Sequence, residues 1–173
     1  MKSPAERLGD AKIFQSEDAQ SYWQPVPANG FVRCILNSKT VDSDNAFSMG
    51  TQTVAPGCYV REHTHDRHEE VVHVVSGDAI VKLDGEESAV QPGATVFIGT
   101  DRKHSFINPG NEPMTFVWFL MPGGLEEFFE AIGRERLPDQ PAPEPFPRPA
   151  NVAEIERQTV FGWADQSASS APD

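Results

Sequence analysis

The 173-residue sequence is poor in cysteine and in basic side chains, and each shortage narrows what the chain can be. It has two cysteines, Cys34 and Cys58, and no CxxC pair. That excludes a disulfide framework and makes a reducing, cytoplasmic setting the expectation, with both thiols as small buried hydrophobes. Lys and Arg number 14 against 26 Asp and Glu, for a formal net charge of −12. Such a chain repels phosphate backbones and anionic lipid, so neither nucleic acid nor membrane is an expected partner. No apolar run approaches the roughly eighteen residues of a spanning helix. The opening MKSPAERLGDAK has no apolar stretch of the kind that marks an export signal. No internal repeat is visible.

What the sequence does hold is a series of short apolar or alternating runs from Phe31 onward. FVRCILNS, AFSMGTQTV, CYVREHTH, EVVHVVSG, AIVKLDG, TVFIGT, HSFINPG and MTFVWFLMP are separated by Gly/Pro/Asn/Asp turn signals. Many short strands at near-regular spacing predict an all-β sandwich or barrel. Asp84-Gly85 is a strong hairpin signal. After Pro122 the period changes: Leu125, Phe128, Phe129 and Ile132 recur at helical spacing, with Gly133 to end the helix. Six prolines between 138 and 149 predict an extended, hydrogen-bond-poor linker, and NVAEIERQTV a second short helix. The expected layout is a loose arm over 1–20, a β domain over 21–121, helices and linker over 122–164, and a disordered tail over 165–173.

The stretch HTHDRHEE at 63–70 concentrates three of the five histidines. If CYVREHTH is a strand, Tyr59, Arg61, His63 and His65 share one face. Two imidazoles two residues apart can then share one ion. In the next strand Glu70, Val72 and Val74 share a face, and Glu69, Val71 and His73 the other. Two histidines and a carboxylate on one face make a donor set for Fe, Mn, Ni, Cu or Zn. The competing reading is a solvated polar loop. His68 is expected in the solvent-facing turn and His73 outside. Glu69 replaces Glu70 if the turn is one residue shorter.

GCYVREHTHDRHEEVVHVVSG fits G-x5-H-x-H-x4-E-x6-G from Gly57 to Gly77. Some 30 residues on, GATVFIGTDRKHSFIN supplies His104 and Asn108. Together these resemble the paired signature of the cupin superfamily, over about residues 31–121. Cupins usually carry Pro and then Gly ahead of the second-motif histidine; this chain has Gly99 and Asp101. The resemblance implies a double-stranded β-helix, a jelly-roll barrel, with one divalent transition metal (Fe, Ni, Mn, Cu or Zn) held by His63, His65, Glu70 and His104. Such a donor set leaves one or two coordination positions for water, O2 or substrate. MPGGLEEFFEAIG is similar to the segment that follows the barrel in quercetin-dioxygenase-like cupins.

The activity this resemblance implies is that of a metal-dependent dioxygenase acting with O2 on a small aromatic or enolisable substrate, with Glu70 as proton acceptor. A non-oxidative lyase, isomerase or decarboxylase, and a binding protein without turnover, are the alternatives. The expected substrate wall is Tyr59 and Arg61, by their shared face with the histidines, with Phe106, which has the parity of His104, and Trp118. The last belongs to MTFVWFL, which offers either Phe116 and Trp118 or Val117 and Phe119; Met49 and Thr51, or alternatively Gln52, line the neighbouring strand. A homodimer is implied by resemblance alone.

Overall fold

The computed structural model describes residues 9–167. Eleven strands form two antiparallel sheets among the described residues. In chain order they are β1 (Gln20–Trp23), β2 (Phe31–Asn37), β3 (Ser48–Val54), β4 (Tyr59–His63), β5 (Glu69–Ser76), β6 (Ala79–Leu83), β7 (Glu86–Val90), β8 (Thr95–Ile98), β9 (His104–Ile107), β10 (Met114–Met121) and β11 (Arg134–Glu135). The larger sheet runs β11-β1-β2-β3-β10-β5-β8 and the smaller β4-β9-β6-β7. This is the all-β double-stranded β-helix that the turn spacing and the motifs predict. The expected closed barrel is corrected in one respect: the hydrogen-bonded ladders stop at the sheet edges and do not join into a continuous wall.

Alternation explains which residues the two sheets trap between them. In β10, Met114, Phe116, Trp118 and Leu120 are buried while their neighbours are half-exposed. In β5, Glu70, Val72 and Val74 are buried and Glu69 and His73 exposed. One register thus points apolar residues and a carboxylate to the same interior. The β6–β7 hairpin turns on Asp84 (φ +48°) and Gly85 (φ +93°), the two positive φ values that a two-residue turn of this twist needs.

Helix α1 (Leu125–Ile132) ends at Gly133 and buries Leu125, Phe128, Phe129 and Ile132 in the β core, each worth roughly 1.5–3 kcal/mol. Helix α2 (Val152–Gln158) follows the proline-rich stretch. Three features escaped the sequence pattern. The two-residue strand β11 pairs with β1. The proline-rich stretch is extended as expected, but packs back on the protein: Phe146 is buried, and its carbonyl accepts the Val26 N–H at 3.0 Å. Beyond α2 the chain runs beside β4, where the Thr64 N–H donates to the Trp163 carbonyl (2.7 Å) and the Asp165 N–H to the Glu62 carbonyl (2.9 Å).

Two side chains of the expected arm over 1–20 reach the loop that follows β2. Lys12 donates to the Thr40 carbonyl at 3.0 Å and Asp10 accepts from the Asp42 N–H at 2.9 Å. Residues 1–8, and 168–173 of the expected tail, lie outside the described residues. Cys34 and Cys58 are free and half-buried rather than buried; burial, with Glu126 and Glu130 nearby, pushes the Cys34 thiol up to about 12. Among the described residues no helix is long and apolar enough to cross a membrane.

Candidate metal centre

His63 ends β4, His65 follows it, Glu70 is the second residue of β5, and His104 opens β9. One ligand atom from each lies within 4.8 Å of the others, and all four residues are buried. The two sheets therefore converge on the donors that the motifs pick out. Glu69 is exposed, so the turn register is the one that selects Glu70.

Three backbone carbonyls orient the imidazoles. Nδ1 of His63 lies 2.7 Å from the Arg61 carbonyl, Nδ1 of His65 2.9 Å from the Val160 carbonyl, and Nδ1 of His104 2.9 Å from the Arg102 carbonyl. A carbonyl only accepts, so each Nδ1 carries the proton and each Nε2 presents a lone pair. His65 Nε2, His104 Nε2 and Glu70 Oε2 are buried without a hydrogen-bond partner. The Glu70 oxygen is 3.1 Å from His104 Nε2 and 3.7 Å from His65 Nε2. Bare acceptors this close repel one another unless a cation, either a proton or a metal ion, lies among them. The donor set thus fits a divalent transition metal of borderline softness, and the cluster could hold one.

The electrostatics agree. Burial and the neighbouring His104 and His65 push His63 well below the usual imidazole range. Burial also opposes charge on His65, but Glu70 beside it more than reverses this and raises its pKa. Burial alone would raise Glu70; His104 and His65 instead hold its carboxyl well below the usual range.

Asp101 resolves the departure in the second motif. It adopts φ +58°, the left-handed conformation that glycine takes freely and Asp tolerates. Its N–H donates to the His65 carbonyl at 2.8 Å, tying the two motifs together. Asn108 is a turn clamp: Nδ2 donates to the Val54, Ala55 and Glu112 carbonyls and Oδ1 accepts from the Gly110 N–H.

A cavity opens onto the cluster through His63 and Glu70. Its wall is mostly apolar, with aromatic rings from Phe106 and Phe116 in the sheets, Phe128 and Phe129 in α1, and Phe161 beyond α2. Phe161 also packs on His63 (5.1 Å between ring centroids) and His65 (5.2 Å). Of the expected substrate wall, Phe106 and the half-exposed Tyr59 line this cavity. Two expectations are corrected. Trp118 is not among the lining residues. It packs against Phe129 and over Gly50, where a Cβ would come within 2.4 Å of its ring, so it is core. Arg61 reaches the wall, but its guanidinium is taken up by the Glu156 carboxylate and the Asp165 carbonyl. His68 is likewise buried rather than solvent-facing, its ring 6.1 Å from that of His65. Of the alternatives on β3, Gln52 lines the cavity, bonded to Gln24 at 2.9 Å.

Sequence reasoning missed Gln24, Arg148, Glu156 and Phe161. Only an arginine between two prolines in an acidic chain, Pro147-Arg148-Pro149, offered a signal.

The Cupin domain family matches residues 50–120. SchB of Streptomyces halstedii is 35% identical over 101 residues, 56% of this chain and 72% of that protein. The chain belongs to the cupin superfamily. Two further relatives of this cupin have names from polyketide biosynthesis. "Tetracenomycin polyketide synthase protein TcmJ" of Streptomyces glaucescens is 27% identical over 135 residues, 78% of this chain and 87% of that protein. "Polyketide synthase CurC" of Streptomyces cyaneus is 37% identical over 93 residues, 54% of this chain and 60% of that protein. Among solved structures, the polyketide cyclase RemF of Streptomyces resistomycificus superposes with a TM-score of 0.56 at 20% identity, over 65% of this chain and 80% of that one, a likeness of fold.

Proposed function

We propose that this cupin is a metal-dependent enzyme acting on a planar phenolic or enolisable substrate of polyketide type, which it converts without consuming O2. One observation carries the reading: a cluster of four buried donors, three with no protein partner, opens through His63 and Glu70 onto an apolar cavity with several aromatic rings in its wall. The polyketide synthase names of two relatives supply the substrate class. Polyketide chains and their aromatic products present enol or phenol oxygens on flat, largely apolar frames, and such walls suit them.

His63, His65, Glu70 and His104 would hold the metal. Bound there, it supplies Lewis acidity that stabilises an enolate or phenolate oxygen. The protein's own part is to orient and to hold protons. The Nδ1–H bonds to the Arg61, Val160 and Arg102 carbonyls fix the three imidazoles. Glu70, whose carboxyl is held below the usual range, lines the cavity and takes the proton that a substrate loses on enolising. Phe128, Phe129 and Phe161 hold the aromatic frame and exclude water.

Dioxygenase chemistry is the second reading, favoured by a donor set that leaves room for O2 beside the substrate. The deciding test is metal analysis of untagged protein, then oxygen-electrode and product measurements on a panel of 1,3-diketones, naphthols and flavonols. About one metal per chain, with metal-dependent conversion and no oxygen loss, is the expected result. Substrate-dependent oxygen loss would replace it with the dioxygenase, and absence of metal after reconstitution would end both readings.

A further inference from the structure

The proline-rich stretch brings one side chain into the cavity that nothing in the metal chemistry requires. Arg148 is buried, its side chain 3% exposed, and it lines the cavity together with His63 and Glu70. Its Nε, Nη1 and Nη2 are all buried without a hydrogen-bond partner. A guanidinium stripped of water and left with no acceptor is among the most costly groups to place inside a protein.

The acceptors nearest Arg148 are already taken. Arg61 and Arg148 share one buried carboxylate, that of Glu156. Glu156 gives Oε1 to Arg61 and accepts from Gln166 at Oε2 (2.7 Å), while Arg148 Nη1 stands 3.7 Å from Oε1, beyond hydrogen-bond reach. The Asp165 side chain is occupied by Ser167. Two guanidiniums thus have one carboxylate within ion-pair reach, and Arg148 is the one left without a hydrogen bond. Burial and the nearby Arg61 lower Arg148 only to about 10, so it stays charged at neutral pH.

Its position is preset rather than accidental. Pro147 and Pro149 flank it and restrict the backbone on both sides. Phe146 is buried, packs under Arg134 (3.9 Å to the ring) and ties to Val26. The Val152 N–H donates to the Pro149 carbonyl at 3.0 Å, joining the segment to α2. A side chain held this firmly, with its donors free, is organised for a ligand.

We infer that Arg148 is the recognition residue for a carboxylate on the aromatic ligand, whose enolic or phenolic oxygen turns towards His63 and Glu70. The assignment rests on the proposed function for the ligand's aromatic frame and adds its second, anionic end. Bidentate pairing with a carboxylate satisfies the planar guanidinium donors. A substrate with an acidic group at one end and an enolisable oxygen at the other is therefore selected over its neutral esters. Arg148 is a binding residue and takes no part in proton transfer.

The test uses 6-hydroxy-2-naphthoate, whose hydroxyl and carboxylate stand at opposite ends, and its methyl ester as probes, titrated calorimetrically into the metal-loaded protein. The wild type is expected to bind the acid at least about ten-fold more tightly than the ester. Arg148→Gln should lose that preference by weakening the acid alone, with metal content unchanged, and Arg148→Lys should regain part of it. Equal affinities for acid and ester in the wild type, no binding of either, or a preference that survives Arg148→Gln would overturn the assignment. Should Arg148→Gln fail to fold, the wild-type comparison decides alone. Metal analysis of the same samples separates the two ideas. Wild-type protein that takes up no metal but still prefers the acid sinks the metalloenzyme and leaves Arg148 in place. A metal-loaded protein without the preference sinks only Arg148.

Discussion

Glu69 and Glu70 are adjacent carboxylates with opposite fates, and the difference is strand parity. Glu70 is buried opposite His104 and His65; Glu69 faces solvent. Glu70→Gln should lower metal affinity at least about ten-fold, because an amide supplies neither the charge nor the basicity of a carboxylate ligand. Glu69→Gln should leave affinity within about two-fold, since an exposed group carries no ligand duty. Competition titration against a chromophoric chelator reads both, and the reverse pattern would place the ligand at Glu69. The four donors were legible because three of them fall within eight residues, where strand period alone decides who faces inward. Arg148 was not legible. Its burial depends on the segment being tied to Val26, far away in sequence, so no local pattern could bring it to the cavity. Trp118 was misread because parity gives a direction and not a neighbour: it points inward as expected, but Gly50 and Phe129 receive it.

Among the elements, α1 was legible because an apolar stripe at helical spacing has one outcome on a β core. Strand β11 was not, since two residues carry no period. The consequence of α2 was hidden too. Its Glu156 is the only carboxylate paired with Arg61 and the nearest anion to Arg148 among the described residues. Removing it leaves two buried guanidiniums facing each other. Glu156→Ala should therefore cost on the order of 3–5 kcal/mol in stability, far more than loss of an exposed ion pair. The midpoint and slope of urea unfolding measure it. A cost below about 1 kcal/mol would mean that solvent reaches this pair and that the C-terminal segment does not seal the cavity.

At the scale of the whole molecule, the four-donor cluster joins the two sheets, so a metal held there would be linked to stability. The sequence pointed to both sheets but not to how they meet, because closure depends on edges that no local pattern encodes. Three groups set the pH dependence of the metal-free protein. His65 has a raised pKa, so its contribution is fully present below about 6.5, its unfolded value, and is lost as pH rises through the raised value. Glu70 has a depressed pKa, so its contribution is present above about 4.5 and is lost as pH falls through the depressed value. His63 is also depressed: below about 6.5 the unfolded chain gains a proton that the folded one refuses, and stability falls. A metal at these donors would compete with protons for them and would stabilise the fold in proportion to its affinity. The gap in Tm between metal-loaded and chelator-treated protein should then widen steadily as pH rises from about 5.5 to 8. Scanning calorimetry across that range checks it. A gap independent of pH would mean that binding releases no proton, and so that His65 and Glu70 are not both ligands.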